Sequence, residues 1–178
     1  MANLKVPPHN EEAEQSVLGA ILIDKDAIGI VSQIISSNDF YGKINGTIFD
    51  TMLSLYEEGK PIDILTLKAK LKKNKLGEKI ESSYLSDLVS AVPTAANIEH
   101  YAILIKEAST KRSLIQIGGQ ITEMGFMEEK EINDLLDKAE ASIFAVSQRG
   151  TLRTFIPLKE ALAESFDRID ELHKKGSG

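Results

Sequence analysis

Two glycine–lysine pairs, three histidines, several paired carboxylates and a run of lysines are the residues of this 178-residue chain whose types could do chemistry. A phosphate-cradling loop needs Gly-x-x-x-x-Gly-Lys followed by Ser or Thr, so that backbone amides and one lysine converge on phosphate oxygens. Here Gly42-Lys43 is followed by Ile44 and Gly59-Lys60 by Pro61, with no glycine five places before either pair. The spacing excludes a nucleotide site of that type. A di-metal centre between helices needs Glu-x-x-His twice. None of His9, His100 and His173 has a glutamate three places earlier, and Asp170-x-x-His173 is the nearest approach. A serine nucleophile needs a histidine base and an orienting carboxylate, but His100, in a helical stretch beside Tyr101, reads as a surface residue. Glu11-Glu12 and Glu128-Glu129 read as solvated or helix-start charges. Without cysteine there is neither a disulfide framework nor a thiolate ligand or nucleophile. The expectation is a chain with no catalytic, cofactor or metal residues of its own, that is, a binding and assembly module.

The lysines are the main electrostatic feature. Net charge is −6 overall, which argues against a protein whose main task is to wrap nucleic acid. The charge is uneven: residues 1–67 carry −6, 68–79 carry +5, 80–150 carry −5 and 151–178 balance. Lys68, Lys70, Lys72, Lys73, Lys75 and Lys79 could solubilise a short helix or touch DNA or an acidic partner. No aromatic residue sits in the run to stack on bases, which weakens the DNA reading. The first residues lack an apolar stretch of signal-peptide length, and the runs Ala20–Ile23 and Ala102–Ile105 are far too short to span a bilayer. The expectation is a cytoplasmic protein with no membrane partner.

The elements that must carry these residues are helical throughout, because apolar residues recur at three and four rather than at two. Asn10 should cap a helix over about 11–23 with Ala13, Val17, Ala20 and Ile21 inward. A short helix follows over about 26–35. The next, over 43–58, has Ile44, Ile48, Met52 and Leu55/Tyr56 on one face and Gly59 as its stop. Pro61 and Asp63 open a helix with Ile64, Leu67 and Leu71 inward. Another, over 82–91, buries Tyr84, Leu85, Leu88 and Val89 before Pro93 breaks it. Asn97 should cap a long helix that Gly125 ends, and Ile132 to about Ser147 form its mate. The fold class is all-α.

Two helices joined by so short a loop form an antiparallel hairpin. The first, at roughly 28 residues, spans about 42 Å, and the second about half of that, so apolar surface is left over. Leu114, Ile117, Ile121 and Met124 on the first, with Leu135, Leu136, Ala139 and Ile143 on the second, are the candidate interface. They could form the seam inside the hairpin, a contact with a second copy, or both on different flanks. Residues 148–156 lack a period and read as a linker. Pro157 then opens an amphipathic helix to about 174, whose stripe Leu158, Leu162, Phe166, Ile169 and Leu172 finds no mate in the chain. The domain reading is a helical head (1–92), a hairpin (93–147) and a linker with its helix (148–178).

The runs Pro7-Pro8-His9-Asn10, Ala13-Glu14-Gln15 and Val17-Leu18-Gly19-Ala20 resemble the opening of bacterial replicative DNA helicases of the DnaB family. The likeness continues through Asp39-Phe40-Tyr41, Ile48-Phe49, Pro61-Ile62-Asp63, Thr66-Leu67, Tyr84-Leu85 and Leu88. It extends to Pro93-Thr94-Ala95-Ala96-Asn97-Ile98, Tyr101-Ala102, Arg112-Ser113-Leu114-Ile115 and Ala139-Glu140. Asn45 departs from it, where the family often has histidine. The resemblance implies an amino-terminal domain whose hairpins pair, three pairs forming a collar on a hexamer. It implies a linker helix docked on the next subunit's ATPase domain, and binding of primase and helicase loaders. ATP, Mg²⁺ and 5′-to-3′ travel on single-stranded DNA would belong to a motor that this sequence does not contain. The competing reading is a stand-alone helical oligomerisation or adaptor module that shares the domain without a motor.

Overall fold

The computed structural model describes residues 6–73, 79–92, 95–127 and 131–150. Seven α-helices and no strand occur among them: α1 (Glu11–Ile23), α2 (Ala27–Ile34), α3 (Lys43–Glu57), α4 (Ile64–Leu71), α5 (Ser82–Ser90), α6 (Ile98–Met124) and α7 (Ile132–Gly150). A 3-10 turn, Ser37–Asp39, separates α2 from α3. The all-α expectation holds. No helix among the described residues is long and apolar enough to cross a membrane.

Local chemistry sets most of the ends. The Asn10 side chain accepts from the Ala13 amide, and three glutamates follow in the first turn, where they suit the positive end of the helix. Asp63 and Thr66 form a reciprocal pair at the start of α4. The Asp63 carboxylate accepts from the Thr66 amide at 2.8 Å, and the Asp63 amide donates to the Thr66 hydroxyl at 3.2 Å. Gly59, at φ +65°, makes the left-handed turn that stops α3. Helix α6 spans the expected Ile98–Met124, but its ends are closed by other means than expected. Asn97 makes no capping bond through its side chain, and Gly125 stays right-handed at φ −65°, so α6 closes by tightening its last turn. Helix α7 runs on to Gly150, taking 148–150 out of the expected linker; one glycine weakens a helix without having to break it.

The core is organised around α1. Val17, Leu18, Ala20 and Ile21 are fully buried, and α1 packs mainly on α6 and α5. At Gly19 the α5 backbone comes so close that an added Cβ would lie 2.1 Å from the Leu88 carbonyl oxygen. Only glycine permits that approach. Around α1 lie Ile28, Val31, Ile48, Phe49, Met52, Leu67, Leu71, Leu85 and Leu88, with the Phe40 and Phe49 ring centres 5.2 Å apart. Ile44 and Tyr56, expected inward, are exposed, because the buried face of α3 is Asn45, Ile48, Phe49, Met52 and Leu55 and both residues fall beside it. Tyr84 is half-buried, and so is Val89. The same core takes in Ile98, Ala102 and Ile105. The boundary drawn between 92 and 93 is therefore one of sequence: the first turns of the long helix belong to the packing of the head.

Candidate assembly and partner-docking site

Two carboxylates of the head, Glu14 and Asp39, are buried. Glu14, on the inner side of α1, is only 2% exposed. It accepts from the Tyr41 amide at 2.6 Å, the Gly42 amide at 3.2 Å and the Asn45 side-chain amide at 2.9 Å. Gly42 occupies the cap position of α3, so a carboxylate from another helix anchors the chain where it enters α3, through the amide of the cap residue and that of Tyr41 before it. Asn45 Oδ1 in turn accepts from the Tyr84 hydroxyl at 2.6 Å. Burial, and after it the charges of Glu11 and Glu14, pushes the Tyr84 hydroxyl above the usual phenol range.

A second knot lies at the 3-10 turn. Asp39 accepts from the Ser36 amide (2.8 Å), the Ser36 hydroxyl (3.0 Å), the Ser109 hydroxyl (2.7 Å) and Lys106 Nζ (3.3 Å). Burial alone would raise its carboxyl, but the Ser36 amide, the Ser109 hydroxyl and the Lys106 charge outweigh it and hold Asp39 below the ordinary carboxylate value. One turn further along α6, Arg112 donates to the Pro8 carbonyl at 2.8 Å and to the Asp39 carbonyl. Its guanidinium also lies 5.7 Å from the centre of the Tyr41 ring, on which His9 stacks at 4.5 Å. Lys106, Ser109 and Arg112, three residues apart, share one face of α6 and fasten it to the amino-terminal strap and the turn.

Beyond Arg112 the hairpin changes character. Of the eight candidate interface residues, Ile117, Ile121, Met124, Leu135 and Ala139 are half-buried and form the seam between α6 and α7. Leu114, Leu136 and Ile143 are 52%, 55% and 53% exposed, so they lie off that seam. Ile115, Ile132 and Phe144 are more exposed still. Val146, unlisted among the candidates, is the one buried apolar residue of α7 among those described, set beside Ser36, Lys106 and Ser109 at the base. The two helices have 27 and 19 residues, roughly 40 and 28 Å. The mismatch is smaller than expected, but apolar surface stays uncovered because the two helices offer each other only one stripe.

Residues 6–107 match the family described as DnaB-like helicase N terminal domain. The chain belongs to that family. Among curated relatives of this DnaB-type domain, the replicative DNA helicase DnaC of Bacillus subtilis (strain 168) is 39% identical over 98% of this chain, which spans only 39% of that relative's length. Among solved structures, the N-terminal domain of DnaB helicase from Mycobacterium tuberculosis superimposes with a TM-score of 0.75 at 36% identity, covering 79% of this chain and 99% of that one. The N-terminal domain of DnaB helicase from Helicobacter pylori gives 0.59 at 34% identity, covering 65% and 91%; that protein was described together with its interactions with primase.

Other features of this DnaB-type domain resolve in simpler ways. Two lysines of the basic run are held within the head: Lys68 by Ser82, and Lys70 by Ser54 and Glu58. With Lys60 and Lys70 as donors, the exposed Glu58 carboxyl is held down at about 2. Lys72 and Lys73 remain exposed, and Lys75 lies outside the described residues. His100 is exposed, and no cluster of His, Asp and Glu that could hold a metal ion occurs among the described residues. An open cleft of about 670 Å³ lies between the starts of α1, α3 and α5, with Ile44, Ile80 and Tyr84 in its wall. Leu158, Leu162, Phe166, Ile169 and Leu172 lie outside the described residues. The residues that sequence reasoning did not single out as a site are Glu14, Asp39, Asn45, Lys106, Ser109 and Arg112. Glu14, Asp39 and Arg112 stood within the family-like runs and Asn45 at the departure from them, but nothing in a linear pattern pairs an acid at 14 with amides at 41 and 42.

Proposed function

We propose that this chain is the assembly and partner-docking domain of a replicative DNA helicase: its hairpins pair to build the collar of a hexamer, and the collar binds primase and a helicase loader. The observation that carries the reading is the exposed apolar flank of the hairpin, Leu114, Ile115, Leu136, Ile143 and Phe144, in a chain of this family. Large apolar side chains exposed on neighbouring helices favour a protein partner, and a second identical hairpin supplies an equally apolar face. Primase binding is carried over from the Helicobacter relative, and loader binding from the family resemblance alone. Unwinding, ATP, Mg²⁺ and single-stranded DNA belong to a motor domain in the full-length protein, since this sequence holds no phosphate-cradling loop. The stripe from Leu158 to Leu172 docks on the neighbouring motor, and the protein works in the cytoplasm.

The test is sedimentation at tens of micromolar with and without primase. Dimers or larger rings are expected, and a Leu114→Asp, Ile143→Asp double variant should be monomeric with an unchanged helical spectrum. A wild type that remains monomeric across that range removes the collar reading. DNA-stimulated phosphate release by the chain alone, above a mock preparation, would remove the assignment of ATP chemistry to a separate motor.

A further inference from the structure

The hairpin consists of a welded base and a tip that carries no comparable weld, and two consecutive glycines lie within the tip part of α6. From Ile98 to Arg112, α6 is held on several sides. Ile98, Ala102, Ile105 and Ala108 are buried in or against the head, and Lys106, Ser109 and Arg112 are tied to Asp39 and Pro8. From Ser113 to Met127 no residue is buried, and only the Ile117–Ile121–Met124 stripe leans on α7. On α7, Val146 near the base is the buried apolar residue among those described.

Gly118 and Gly119 stand within the free stretch. Glycine in a helix interior lacks the side chain that restricts the backbone and costs stability relative to alanine, so adjacent pairs are a recognised cause of helix bending. Nothing in this chain demands them. An added Cβ at either would meet no atom within 4 Å, and neither has positive φ. The Thr122 hydroxyl donates to the Gly118 carbonyl at 2.8 Å, a bond that competes with the helical ladder and favours a bend.

We infer that Gly118-Gly119 is a hinge at which the outer half of the hairpin tilts against a base rigidly joined to the head. The inference rests on the collar reading only for its use: a hinge lets two hairpins pair through their outer faces while the two heads take up different orientations toward a partner. The hinge itself is a property of one chain.

The absence of native cysteine allows clean labelling at exposed positions. Spin labels at Glu57→Cys with Glu107→Cys report head against base, and at Glu57→Cys with Asn133→Cys head against tip. Labelled chains are diluted into unlabelled ones, so that only distances within one chain are read. The expected result is a narrow first distribution and a second at least about twice as broad, which Gly118→Ala, Gly119→Ala narrows towards the first. Amide exchange around 118–122 should be faster than at 102–112 and slow roughly tenfold in the double variant. Equal widths in the wild type, or a broad tip distance unchanged by the alanines, overturn the hinge. So does a double variant that loses self-association while its distances stay the same, because the glycines then serve close contact between copies. A wild type that is monomeric yet shows the broad tip distance would sink the collar reading and leave the hinge standing.

Discussion

The head and the outer hairpin are made of the same aliphatic residues at the same helical spacing, yet they bury them to very different extents. In the head, Leu18, Ile48, Phe49 and Leu85 are fully enclosed; in the outer hairpin, Leu136 and Ile143 remain more than half exposed. The cause is the number of neighbours. Helix α1 is packed by α2, α3, α5 and α6, whereas the outer part of α6 has α7 alone. A helix with one neighbour buries one stripe, however apolar its other faces are. The polar groups differ likewise. The head and its junction hold buried carboxylates with several donors each, while Thr122 and Ser142 of the outer hairpin bond back to their own helices. Stability therefore resides in the head and the junction, and surface available for assembly in the hairpin.

The largest effect that sharpens this contrast is expected at Phe49. Phe49→Ala should cost about 3–5 kcal/mol, read as a cooperative loss of thermal stability. A loss below 1 kcal/mol would mean that the head core is not packed as described. Next comes Glu14→Ala, which strands the Tyr41 and Gly42 amides and Asn45 and should cost about 3 kcal/mol. Chemical denaturation of this variant beside Gln15→Ala distinguishes the buried carboxylate from its neighbour, and equal effects would count against the anchoring of the α3 entry by Glu14.

Asp39→Asn tests the junction through pH. The folded state lowers the Asp39 pKa, so the ionised form contributes stability that is fully present above the unfolded value, near about 4. That contribution is lost as pH falls through the lower folded value. The wild type should exceed Asp39→Asn by about 1–3 kcal/mol at neutral pH, and the gap should shrink below about pH 4. A gap independent of pH would show that the charge is not what matters there.

The smallest effect on folding is expected on the exposed flank. Leu114→Asp and Leu136→Asp should change the stability of the single chain by no more than about 0.5 kcal/mol, while weakening self-association tenfold or more in sedimentation. Ile121→Asp, in the half-buried seam, should damage both. If Leu114→Asp unfolds the chain, the line between seam and flank is misplaced.

Helical spacing, Asn10, Asp63, Gly59 and the proline at 93 were enough to place every helix among the described residues to within a few positions, because those signals act within a turn or two of the chain. Periodicity likewise marked the hairpin and its apolar content, and the ordered runs from Pro7 to Glu140 pointed to the family. Which of those apolar residues face α7 and which face outward was decided by tertiary structure alone, since a helix's rotation against its mate depends on both partners at once. The same holds for Glu14, whose bonds to the entry of α3 join residues 27 to 31 positions apart, and for Arg112, which reaches back 104 positions to Pro8. Local patterns carry local hydrogen bonds; bonds that close long loops exist only once the packing of apolar faces has brought their ends together.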